Sequence, residues 1–205
     1  MGLFFNKKLS PAEFWAWFSN HSAEYQRLEE NQDQLINQLS KQLGRVDPVV
    51  GFLIGPVQDG RREFILSCDG VRRNMPRVQA IEAVAPEIPG WQIIAFKPPH
   101  DIETAEYGGK TLNLKDIYFT YRVEEDLLDI VLFVDGYIPQ QRSQYMAIGF
   151  IFLDSLLGEL GVMNKLGKIE LAELASADRS ALTPLKGLTG VIKKNLAHSH
   201  SSTLS

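Results

Sequence analysis

Five arginines fall between positions 61 and 77: Arg61, Arg62, Arg72, Arg73 and Arg77. The chain carries 21 Lys+Arg against 25 Asp+Glu, a formal net charge of −4, so this run is its sharpest local excess of one sign. Guanidinium groups are planar, permanently charged and forked, which suits them to carboxylates and phosphates. Arg72, Arg73 and Arg77 lie before or within the first turn of a helix expected over 76–85. Cations there oppose the helix macrodipole at about 0.3–1 kcal/mol each. Positive charge kept in that place points to an acidic protein partner or a small anion. The plain alternative is a solvated face, with Asp69 and Glu82 as local partners. Acidic overall charge and the lack of a nucleic-acid-binding module argue against nucleic acid.

Other chemistries find less support. Gly55 to Arg62 has the spacing of a phosphate-binding loop, but Arg61 and Arg62 stand where its Lys and its Ser or Thr belong. It also leads into a strand, so no helix N-terminus is there to hold phosphate; we expect a hairpin loop. Of the four histidines only His198 and His200 are close in sequence, in a Ser- and His-rich tail. No metal site and no cofactor is expected. Cys68, the single cysteine, ends an apolar strand and reads as a buried thiol. Asp69 follows that strand, and Asp154 interrupts an apolar helix. An enzyme would need a constellation across distant segments, such as Asp69 with His100.

These residues must be positioned by recognisable elements. Ser10, Pro11 and Glu13 open a helix with a capping box and a first-turn proline. Phe14, Trp17, Phe18, His21, Tyr25 and Leu28 share one face of it, with Trp15 at the margin. Such a stripe is a core face or, in Trp15 and Trp17, a pair of partner anchors. A second helix should end at Gly44. Strands are expected over 49–54, 63–68, 91–96, 117–123, 127–134 and 166–171, and helices over 76–85 and 143–157. The stretch 100–116 reads as the loosest connection, with a turn at Gly108-Gly109. Thr183-Pro184 should open a terminal helix, and 197–205 a disordered tail.

The order hairpin, helix, strand occurs at 49–97 and again at 117–171 without matching residues. Either a structural duplication or the small menu of element types produces such an order. The expected fold is α+β: one domain over 1–205, with a helical segment at 10–44 and a mostly antiparallel sheet with helices packed on it. The halves could pair into one long sheet, with a ligand groove between them.

The segments Phe14-Trp15-Ala16-Trp17-Phe18, Gly60-Arg61-Arg62-Glu63, Pro89-Gly90-Trp91 with Ala95-Phe96-Lys97-Pro98, and Leu153 to Glu159 resemble an uncharacterised bacterial protein family. Its members have roughly this length and an aromatic-rich first helix. The resemblance covers nearly the whole chain. It implies a bacterial cytoplasmic setting and carries no activity, cofactor or functional residue.

Composition fits these readings. Hydrophobic residues are 44% and charged residues 22% of the 205, ordinary for a globular chain. A lone cysteine allows no intramolecular disulfide, which suits a reducing compartment. The opening Met1 to Lys8 has no long apolar run and fits no secretory signal, and Met146 to Leu157 is short for a membrane helix. The expected function is therefore that of a non-enzymatic, cytoplasmic protein-binding or regulatory protein. The alternative is a small-molecule or anion binder using the groove between halves, ahead of an enzyme.

Overall fold

Helix α1 (Pro11–Tyr25) starts where the sequence sets it. Ser10 Oγ accepts the Glu13 N–H at 3.2 Å, and the Glu13 carboxylate accepts the Ser10 N–H at 2.8 Å. This computed structural model describes residues 8–196. The expected tail at 197–205, with His198 and His200, lies outside the described residues.

The backbone gathers into two compact units, Met1–Lys97 and Pro98–Ser205, where composition led us to expect one domain. Their strands form separate sheets, which corrects the idea that the halves join in one long sheet.

In the first unit α1 is followed by α2 (Gln32–Val46), whose Leu35, Leu39, Leu43 and Val46 are buried. This helix runs past Gly44, the expected stop, because Gly44 keeps a helical backbone and Asp47 N–H still finds Leu43 O. Strands β1 (Gly51–Gln58) and β2 (Arg61–Ser67) form a hairpin. Asp59 and Gly60 take φ of 50° and 75° at its turn, the left-handed pair that matches strand twist. Helix α3 (Met75–Glu82) then crosses to β3 (Trp91–Ala95), which pairs parallel to β2. Phe14, Trp15, Phe18 and Tyr25 of α1 are buried with Phe64 and Trp91 of the sheet; Phe18 and Phe64 meet edge-on with centroids 4.9 Å apart. Each such fully buried side chain contributes about 1.5–3 kcal/mol of burial energy.

The second unit begins with a hairpin that the sequence hid. Strands β4 (Thr104–Tyr107) and β5 (Lys110–Asn113) occupy the stretch read as a loose connection. Their turn is at the expected Gly108-Gly109, with φ of 59° and 75°. Strands β6 (Ile117–Glu124) and β7 (Leu127–Val134) follow, then α4 (Arg142–Lys165) and β8 (Leu166–Glu173), parallel to β7. The two-residue β9 (Thr183–Pro184) adds to β6, and α5 (Leu188–Leu196) starts after a 3-10 turn over Leu185–Gly187. Strand β7 alternates in burial along its whole length, placing Leu128, Ile130, Leu132 and Val134 against Ile148, Phe152 and Leu153 of α4.

Both units therefore use one scheme: an antiparallel hairpin whose second strand pairs parallel to a third strand reached through a helix. Antiparallel pairs outnumber parallel ones, and the fold is α+β as expected.

Helix α4 is longer than the expected 143–157. With its preceding turn it is long and apolar enough to cross a bilayer by length and composition, yet half of its apolar window is buried inside the protein. It is also broken. Gly158 sits at φ 71°, ψ 158°, outside any helical conformation and open essentially to glycine alone. A break there removes helical partners from the carbonyls of the preceding turn. Two of them find others: Ser155 O accepts the His100 N–H at 2.9 Å, and Leu156 O accepts Thr189 Oγ1 at 3.5 Å.

Candidate functional site

The five arginines do not form one patch. Arg61 opens the seven-residue β2, while Arg72 and Arg73 follow its far end, a strand length of roughly 23 Å at about 3.3 Å per residue. Arg62 is 2% exposed, which corrects its place in a surface cluster. Its guanidinium donates to Tyr25 O at 2.8 Å, at the C-terminus of α1, and pairs with the Glu29 carboxylate. A hydrogen bond from its own backbone, and then Arg62, hold Glu29 below the ordinary carboxylate range. Arg62 Nε and Trp91 Nε1, on residues in register across β2 and β3, are buried with no partner among the described residues. Exposed Arg77 is tied to Asp47 at 2.7 Å. Arg61, Arg72 and Arg73 are the exposed remainder.

The tryptophans separate as well. Trp15 is 1% exposed and donates its indole N–H to Ile81 O at 2.7 Å. It ties α1 to the end of α3 and cannot serve as a surface anchor. Trp17 is half-buried and stacks on His21 with centroids 4.8 Å apart; the His21 ring nitrogen Nδ1 lies 2.7 Å from Trp17 O.

Asp69 and His100 have separate partners. Asp69 accepts from Lys97 at 3.0 Å and from Ser67 Oγ at 3.3 Å within the first unit. The His100 ring lies 3.4 Å from Pro98 O. Cys68 is buried, Asp154 is half-buried, and Glu159, one residue past the α4 break, is completely buried. Among the described residues no group of three or more His, Cys, Asp or Glu could hold a metal ion.

Among the clefts formed by the described residues, two stand out. In the second unit a cleft of about 850 Å³ opens over the α4 break, lined by 99–103, 113–115, Ser155, Leu156, Lys186 and Thr189. Asp101, Glu103, Lys115 and Lys186 bring both signs of charge to it, and none of the four forms an ion pair among the described residues. Nothing in the spacing of residues marks this cleft, because its walls come from four separated segments.

The other place lies in the first unit. There β1 is an edge strand, paired to β2 on one side only among the described residues. A groove of about 580 Å³ runs between it and α2, floored by Ile36, Leu43, Val50, Phe52 and Ile54, and no charged residue lines it. Val49, in the turn before the strand, and Leu53, on the strand's other face, are each more than 40% exposed, while the bulge turns exposed Val57 to the face of Arg62. The run Val49 to Gln58 contains no charged residue. Sheet edges are ordinarily guarded by charges, prolines or bulges. Here Pro56 and a bulge between Ile54 and Val57 guard only the second half.

No protein-family model, curated protein or solved structure matches this chain. That accords with a family resemblance that carries no activity, so the geometry of these two places bears the functional reading.

Proposed function

We propose that this chain is a non-enzymatic, cytoplasmic protein-binding or regulatory module, and that its docking edge is β1. The observation that carries the reading is the unguarded, uncharged half-strand Gly51–Ile54 beside the apolar α2 groove. An added strand there gains main-chain hydrogen bonds from the edge, and alternate side chains enter the groove. Lack of charge on both walls selects an uncharged, apolar segment, since a buried unpaired charge would be costly. This replaces the arginine run as the preferred partner surface, because Arg62 is buried and Arg77 is already paired. The reducing compartment fits the single buried thiol.

The test is a backbone-amide NMR titration with uncharged strand-forming peptides. Shift changes should centre on Gly51–Ile54 and on Ile36 and Leu43 of α2. No response up to millimolar peptide would count against the edge.

A second reading has its own observation. The cleft over the α4 break is lined by Lys115 and Lys186 together with Asp101 and Glu103, which favours a small ligand bearing both an anionic and a cationic group. It lies wholly within the second unit. A thermal-shift screen of metabolites tests it: a ligand at ~100 times its dissociation constant adds about 2.7 kcal/mol. A true hit should be lost in Lys115→Glu with Lys186→Glu.

A further inference from the structure

Resting on the strand-docking role of β1, we infer that the segment it receives is β1 of a second copy, paired antiparallel about a two-fold axis at Phe52. Three observations lead there. First, the groove asks for an extended, uncharged, apolar strand, and this chain itself presents one: Val49 to Gln58 has no Asp, Glu, Lys or Arg. A two-fold interface sets each residue of β1 against its own neighbours, so a charge-free strand meets no like-charge repulsion in self-pairing.

Second, the guards are placed to fix the register. Pro56 and the bulge between Ile54 and Val57 block the strand beyond Ile54. Pairing is left Gly51 to Ile54 together with Val50, the residue just before the strand, five residues whose centre is Phe52. That register sets Val50 opposite Ile54 of the partner copy and Gly51 opposite Leu53. Third, the side chains suit both faces. Val50 is buried, Phe52 and Ile54 are half-buried on the helix side, and Leu53 is 45% exposed on the other face. Leu53 would lose that exposure over Gly51 of the partner copy, which has no side chain of its own; the nearest side-chain atom there is Asp69 Oδ2, 3.5 Å from where a Cβ would stand. Two three-stranded sheets would then continue as one six-stranded sheet, which removes the open edge.

Sedimentation velocity across a dilution series from micromolar to millimolar full-length chain tests this. Wild type should approach twice the chain mass of 23.1 kDa. Leu53→Lys puts the usual edge guard on an exposed position and should hold the protein at the single-chain mass with an unchanged circular-dichroism spectrum. Val57→Lys, beyond the bulge, should dimerise like wild type. Isotope-filtered NOEs in a mixed labelled sample should connect Gly51 to Leu53 between copies. A wild-type protein of single-chain mass at the highest concentration overturns the self-pairing. If that monomer still shows peptide-induced shifts at Gly51–Ile54, the strand-docking role stands and its occupant is foreign. A dimer that survives Leu53→Lys and lacks the Gly51–Leu53 contact places the interface elsewhere, and overturns the inference as well.

Discussion

Replacing Gly158 by alanine should destabilise the protein, although the residue lies inside a helix. In a continuous helix Ala is better than Gly by about 0.8–1 kcal/mol. At φ 71°, ψ 158°, however, a Cβ forces a backbone conformation reserved for glycine, at about 1–3 kcal/mol. Straightening α4 to escape that strain would pull Ser155 O from the His100 N–H and Leu156 O from Thr189 Oγ1, leaving groups whose desolvation costs about 1–3 kcal/mol each. Both routes are unfavourable, and we take about 2 kcal/mol. At roughly 2–4 °C per kcal/mol for a chain of this size, Tm should fall by about 4–8 °C. Thermal unfolding followed at 222 nm measures it, with amide exchange of His100 as the local probe. The control is Gly44→Ala, in α2 with nothing within 4 Å of the added carbon; it should gain about 0.5–1 kcal/mol. A Gly158→Ala protein as stable as wild type, or more so, would refute the view that the break is required.

Further outcomes follow from single contacts. Ser10→Ala removes half of a reciprocal cap and should cost about 1 kcal/mol in chemical denaturation. Trp15→Phe deletes the indole N–H held by Ile81 O at 2.7 Å; a buried carbonyl left unpaired costs about 1–3 kcal/mol, with lost volume in addition. The Tyr25 hydroxyl is pushed up from 10.0 to about 12, by burial first and by the charge of Glu24 second. A folded-state value above the unfolded one gives stability that is complete below pH 10 and is lost as pH rises toward 12. Denaturant midpoints should therefore fall more steeply over that window in wild type than in Tyr25→Phe.

Local signals were legible wherever the physics is local. The Ser10–Glu13 cap, the Asp59-Gly60 and Gly108-Gly109 turns, the alternation of β7 and the repeated hairpin–helix–strand order can all be read from residue type and spacing. So can the α+β class, because two periodicities of apolar residues follow each other along one chain. The β4–β5 hairpin escaped because Thr104–Tyr107 and Lys110–Asn113 are short and polar, with no apolar alternation to betray them.

Charge and aromatic runs misled for a different reason: spacing along a strand does not say which end or face meets solvent. Arg61 and Arg62 are neighbours, yet the pleat sends one outward and the other under Tyr25, where a helix C-terminus and Glu29 receive it. Trp15, at the margin of the helical stripe, is the more deeply buried tryptophan of α1 because α3 supplies a carbonyl for its N–H. Sequence alone determined most of the elements, the cap, the turns and an apolar strand at 49–54. Only the tertiary structure decided that this strand is an edge, that Gly158 breaks α4, and that four distant segments close a cleft. Each of those depends on what lies beside a residue in space, and pairing partners far apart in the chain leave no mark in local composition.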